Sequence, residues 1–173
     1  MMIKKAFICA FCAFCVTLTA SAQKFALVDM DYILKNIPAY ERANEQLAQV
    51  SKKWQAEVEA LQIEAQTMYK DYQKEVVFLS QEQKKARQDA IMEKERQASE
   101  LKKKYFGPEG ELFKKRTALM APIQEEIYNA VSEIADMRGY QLVLDRASDS
   151  GIIFASPKVD ISSEVLQRLG YSN

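Results

Sequence analysis

Between Ala39 and Leu79 the chain runs forty-one residues without a glycine or a proline. Within that stretch apolar residues recur in steps of three and four: Tyr40, Ala43, Leu47, Val50, Trp54, Val58, Leu61, Ala65, Met68, Tyr72, Val76 and Leu79. This is a heptad-like seam, and the consecutive four-residue steps near Trp54 and Tyr72 read as stutters. A helix of that length is a rod of roughly 60 Å at 1.5 Å per residue. A rod with one apolar stripe needs a partner, and the next segment supplies one.

Ser80-Gln81-Glu82-Gln83 has the form of a capping box and predicts a new helix from Gln81 to about Met137. Its apolar points are sparse at first (Ala86, Ala90, Ile91, Ala98, Leu101, Tyr105) and dense later (Leu112, Leu119, Ile123, Ile127, Val131, Ile134). Two consecutive rods joined by a short turn are most simply an antiparallel hairpin, with its tip near 77–83. Phe106-Gly107-Pro108-Glu109-Gly110 interrupts the second rod and predicts a kink or short break there, with a further bend at Pro122.

Short strand signals lie at both ends of the rods. Lys24–Met30 reads as a strand buried on both faces, and Pro38 suits the first turn of the helix that follows. Gly139 is a helix stop, Tyr140–Asp145 a strand, Ala147–Gly151 a turn and Ile152–Ala155 another strand. Asp160 then caps a last short helix. The expected fold is mainly α with a small β body: 23–38 and 138–173 form the body, and 39–137 form a long antiparallel helical hairpin arm projecting from it.

Residues 1–22 read as a cleavable secretory signal: Lys4 and Lys5, an apolar run from Ala6 to Ala20, then Ala20-Ser21-Ala22. Cys9, Cys12 and Cys15 all lie inside it, so the mature chain has neither a cysteine nor a histidine. Packing or oligomerisation must then hold it together. Removal of Lys4 and Lys5 leaves 22 basic against 24 acidic side chains, a net charge of −2. That balance argues against nucleic acid as a partner.

For chemistry, Asp29-Met30-Asp31 after a hydrophobic strand resembles the metal and nucleophile motif of haloacid-dehalogenase-type phosphatases. Ile33 stands where that family wants threonine or valine, and the repeated strand–helix units are missing. Strand-end residues that satisfy helix-start amides, with Asp145-Arg146 as an ion pair of the body, account for these carboxylates more simply. No catalytic set, metal cluster or cofactor loop is present, which predicts a non-enzyme without cofactors. The arm is more informative. Tyr69, Val77, Phe78 and Met92 lie off the seam, and with Tyr105 and Phe106 they are candidate binding residues for an unfolded chain. Lys84, Lys85, Arg87, Lys102, Lys103 and Lys104 form a candidate basic surface for acidic clients or anionic lipid headgroups.

Across the mature chain the sequence resembles the Skp/OmpH family of periplasmic chaperones. The resemblance rests on Lys24–Met30, on Pro122-Ile123-Gln124 through Ala130-Val131, on Gly139–Asp145, and on Val159-Asp160-Ile161-Ser162 through Val165-Leu166. It implies a jellyfish-like homotrimer whose β body joins three arms around a cavity. It also implies ATP-independent capture of unfolded outer-membrane β-barrel proteins in the periplasm. The rival expectation is a structural coiled-coil protein of the envelope that binds folded partners.

Overall fold

The structure is a computed structural model that describes residues 24–148 and 151–171. The expected export signal with its cysteines lies outside the described residues, as do Asp149 and Ser150 of the expected turn. In chain order the elements are β1 (Phe25–Val28), α1 (Met30–Lys35), α2 (Pro38–Glu75), α3 (Gln81–Phe106), α4 (Glu111–Arg138), β2 (Leu142–Asp145), a 3-10 turn (Pro157–Val159) and α5 (Ser162–Arg168). No helix among the described residues is long and apolar enough to cross a membrane.

The arm follows the seam. Every apolar position of the series from Tyr40 to Leu79 is buried or half-buried, with Ala43, Leu47, Val58 and Ala65 the most enclosed. Helix α2 starts with Pro38 in its first turn, where the missing N–H costs nothing. It packs first against α3 and then, nearer the body, against α4. The turn between α2 and α3 closes on the capping box: Ser80 Oγ accepts from the Gln83 amide at 3.2 Å, and the Gln83 side chain accepts from the Ser80 amide at 2.9 Å. On α3 the seam is carried by Ile91 and Ala98, while Ala86 and Ala90 stay exposed, so those two do not contribute to it. Pro122 is accommodated inside α4.

The second rod is two helices. The Gly107 amide donates to the Lys103 carbonyl and the Gly110 amide to the Gly107 carbonyl, both at 2.9 Å, which closes α3 and opens α4 in one tight turn. The backbone is so close that a Cβ on Gly107 would lie 2.5 Å from the Lys103 carbonyl oxygen. Helix α4 ends on Gly139 in the left-handed conformation, φ 69°, as its sequence position predicts.

In the body, β1 and β2 form a two-stranded parallel sheet in the register Phe25–Leu142, Ala26–Val143, Leu27–Leu144 and Val28–Asp145. The whole arm is the crossover between them. On its other side β1 meets Asp160 through an isolated bridge from Leu27, so β1 is the central segment. Its Ala26, Leu27 and Val28 are buried, whereas Phe25 is exposed, which narrows the expected two-sided burial to three residues. The core beneath joins Ala26 and Val28 to Ile33, Ile127, Ile134 and Val165. Full burial of each of those last four side chains stabilises by about 1.5–3 kcal/mol.

Two expectations are corrected here. The strand expected at Ile152–Ala155 does not form: these residues join no ladder, and Ile153 and Phe154 face solvent. Strand propensity alone, without pairing to an edge, gives no ladder. The first strand also stops at Val28 rather than Met30, because Asp29 caps α1: its carboxylate accepts from the Tyr32 amide at 2.8 Å.

Candidate functional site

Asp29 and Asp31 sit on a strand-to-helix turn, with Asp31 inside α1, rather than side by side on a strand face. The Asp29 carboxylate is occupied twice, by the Tyr32 amide and by the Arg146 guanidinium at 3.1 Å. The amide first and the guanidinium second hold its carboxyl below the ordinary range. Arg146 also reaches Asp160 at 3.1 Å, and Ser162 Oγ donates to Asp160 at 2.6 Å while accepting from the Asp29 amide at 2.8 Å. This network ties the end of β1, the end of β2 and the start of α5 together. Asp145, expected beside Arg146 in an ion pair of the body, serves the start of α1, accepting from the Met30 amide at 3.1 Å, while Arg146 pairs with Asp29 and Asp160. The expected cap at Asp160 is one residue further from the helix, accepting from the Ser162 amide at 2.9 Å.

The arm holds the other candidates. Its two flanks differ. On one, side chains of α2 and α3 reach across to each other: Glu57 accepts from the Tyr105 hydroxyl at 2.6 Å, and Glu64 pairs with Lys94 at 3.1 Å. Glu75 pairs with Arg87 at 3.5 Å on the same flank, and near the turn the seam residue Tyr72 accepts from Gln88 at 2.9 Å. The Glu57 carboxylate raises the Tyr105 phenol above its ordinary pKa, chiefly through that hydrogen bond. Tyr105 is further fixed by stacking on Trp54, with ring centroids 4.6 Å apart and planes within 7°. The sequence places Trp54 on the seam but gives no sign of this stack, which depends on the α2–α3 register.

The other flank is open. A groove of about 700 Å³ runs between α2 and α3, walled by Ile63, Gln66 and Tyr69 on one side and by Glu95, Ser99 and Lys102 on the other. A second, of about 330 Å³, continues it toward the break and is lined by Gln55, Val58 and Phe106. The two share Glu59, Gln62 and Lys102. Met92 lies on the same stripe of α3, three or four residues at a time from Glu95, Ser99, Lys102 and Phe106.

The structure thus brings Tyr69, Phe106 and Lys102 to one trough and places Tyr105 on the opposite, stitched side. Val77 and Phe78 occupy the turn at the far end, 76% and 86% exposed; Met92 is 58% and Tyr69 48% exposed. Sequence reasoning missed Ile63, which lies between the seam positions Leu61 and Ala65 and is exposed. The off-seam test that singles out Tyr69 would have found it. Of the basic surface, Lys85 is paired with Asp89 at 2.8 Å and Arg87 with Glu75. Lys104 lies over the Tyr105 ring, 5.8 Å from its centroid. Lys84, Lys102 and Lys103 have no ion pair among the described residues.

No curated protein matches the chain. A crystal structure of a Caulobacter crescentus CB15 protein, described as an OmpH-like outer membrane chaperone, superposes with a TM-score of 0.68 at 11% identity. The match covers 86% of this chain and 85% of that one, and it shows a shared fold. Residues 24–169 match the family of outer membrane proteins termed OmpH-like, a span that takes in the body and the entire arm. The chain belongs to the OmpH-like family.

Proposed function

We propose that the protein is an ATP-independent holdase of the periplasm. It binds unfolded outer-membrane β-barrel proteins between the arms of a homotrimer and keeps them from aggregating. The observation that carries this reading is the exposed apolar set on the arm: Val77 and Phe78 at the turn, Tyr69, Met92 and Ile63 below it. A helical hairpin whose seam is already filled has no structural need for them. Scattered apolar contacts, each weak, hold an unfolded chain by avidity and leave it mobile.

The body supports the trimer. A two-stranded sheet is marginal alone, and parallel sheets ordinarily have both faces covered. Here Phe25, Leu142 and Leu144 leave the outer face apolar and exposed, and Ile153 and Phe154 are exposed as well. Association of three copies covers this surface, with 23–38 and 138–173 as the trimerisation body and 39–137 as the arm. Residues 1–22 act as the cleaved export signal. Of the basic set, Lys84, Lys102 and Lys103, without an ion pair among the described residues, meet acidic clients or anionic headgroups, a contact that salt screens. The chemistry needs no cofactor, and Asp29 and Arg146 act in folding rather than in catalysis.

The test is dilution of a urea-denatured outer-membrane β-barrel into the protein, with the mass of the product read by light scattering. The expected result is a soluble complex of three copies and one client. If the barrel precipitates as fast as without the protein while the protein itself stays assembled, the holdase reading fails. A spacer that binds folded envelope partners then takes its place.

A further inference from the structure

The two flanks of the arm offer an unfolded chain very different surfaces. On the stitched flank the side chains that reach across are already paired with one another: Glu57 with Tyr105, Glu64 with Lys94, Glu75 with Arg87. Its solvent-facing positions include Ala60 and Ala90, which offer little to grip. The trough on the open flank has the opposite character. The side chains of Gln62, Gln66 and Ser99 have no hydrogen-bond partner among the described residues, and Glu59, Glu95 and Lys102 have no ion pair there. Apolar side chains stand among them at Ile63, Tyr69 and Phe106.

We infer that the open flank is the surface on which the client chain lies, as short extended stretches seated in the trough. This rests on the holdase reading above and assigns it a face. Carboxamides and hydroxyls donate and accept hydrogen bonds, so they suit the N–H and C=O groups of any polypeptide whatever its sequence. Ile63, Tyr69 and Phe106 suit its occasional apolar side chains. An outer-membrane strand, polar and apolar by turns, presents both. From Gln55 to Tyr69 the trough runs along about 21 Å of helix at 1.5 Å per residue, room for about six residues of extended chain. The exposed large apolar side chains of α2 and α3 fall on this side or at the turn: Ile63, Tyr69 and Met92 along it, Val77 and Phe78 at the end. In a trimer this flank would face the cavity and the stitched flank would not. The pairing on the stitched flank keeps the hairpin closed while the other side is in use.

The experiment is site-specific photocrosslinking in the full chain. Benzoylphenylalanine is placed at position 66 or 99 on the open flank, and at 60 or 90 on the stitched flank. Each form is mixed with a urea-denatured outer-membrane β-barrel on dilution and irradiated. The expected result is that all four keep the barrel soluble, while adduct yields at 66 and 99 exceed those at 60 and 90 several-fold. Soluble client with equal yields on the two flanks, or higher yields at 60 and 90, overturns the assignment and leaves the holdase reading standing. Precipitation of the barrel in the presence of the unsubstituted chain overturns both.

Discussion

Gly110 is where the arm depends most sharply on one side chain being absent. An alanine Cβ there would lie 2.8 Å from the Tyr105 carbonyl oxygen and 2.9 Å from both the Gly107 amide nitrogen and the Lys104 carbonyl oxygen. All three are backbone atoms of the turn that closes α3, so no rotamer change relieves the contact. The torsion itself is ordinary, φ −69°, so the obstacle is close approach alone. Overpacking of this kind costs about 1–3 kcal/mol. Alanine is also a poorer N-cap than glycine by roughly 0.5–1 kcal/mol. The stiffer unfolded chain offsets about 0.4–1 kcal/mol. The net loss for Gly110→Ala is about 1–3 kcal/mol, which at a urea slope of about 2 kcal/mol/M lowers the midpoint by roughly 0.5–1.5 M. The measurement is urea unfolding followed by circular dichroism at fixed chain concentration, because association shifts the midpoint. Gly110→Ser decides the cause. Helix α4 has no side-chain cap, so if capping governed this position serine would stabilise. Serine carries the same Cβ, and the close-approach argument predicts a loss comparable to alanine. A Gly110→Ser midpoint at or above that of the parent refutes it.

Three further outcomes are expected. Ile134→Ala, at a side chain 1% exposed in the body core, should cost about 2–5 kcal/mol in the same urea assay. Ser80→Ala removes half of the capping box and should cost about 1 kcal/mol locally, seen as faster amide exchange at Gln83 with the body unchanged. Glu93, held to about pKa 2 by hydrogen bonds from Arg96 and then Gln97, should remain ionised on acidification well past the ordinary value of 4.5. Because its folded pKa is the depressed one, its contribution to stability is present above about 4.5 and fades as pH falls toward 2. A side-chain carbonyl titration by NMR with a midpoint near 4.5 would contradict the pairing.

The arm was legible because a helix repeats. Once Tyr40 through Leu79 kept a stripe, and Ser80 with Gln83 marked a restart, the hairpin and its turn followed from local rules. Gly139 and the Phe106–Gly110 break were legible for the same reason, since each terminates a helix within a few residues. The body was less so. Ile152–Ala155 has the composition of a strand, but a strand exists only against an edge: β1 already has β2 on one side and the bridge to Asp160 on the other, and these residues do not pair with the remaining edge of β2. Arg146 could be assigned an acidic partner but not two, because Asp29 and Asp160 meet it only after the chain has returned from the arm.

The two-sidedness of the arm was beyond the heptad argument for a physical reason. A seam fixes which stripe of each helix faces the partner, but charged and amide side chains flank it on both sides, and the seam does not say which of them will pair. What separates them is register between antiparallel helices. Glu57, Glu64 and Glu75 become cross-links because Tyr105, Lys94 and Arg87 arrive opposite them. Gln62 and Gln66 face Ser99 and Lys102 across a gap that the small seam residues Ala65 and Ala98 do not fill. Two alanines line this groove at the seam, where their short side chains leave it open. Larger residues at these positions would fill the trough from below. Any substitution that changes the α2–α3 register moves both flanks at once. The grip on an unfolded chain and the rigidity of the arm are therefore set by the same few contacts.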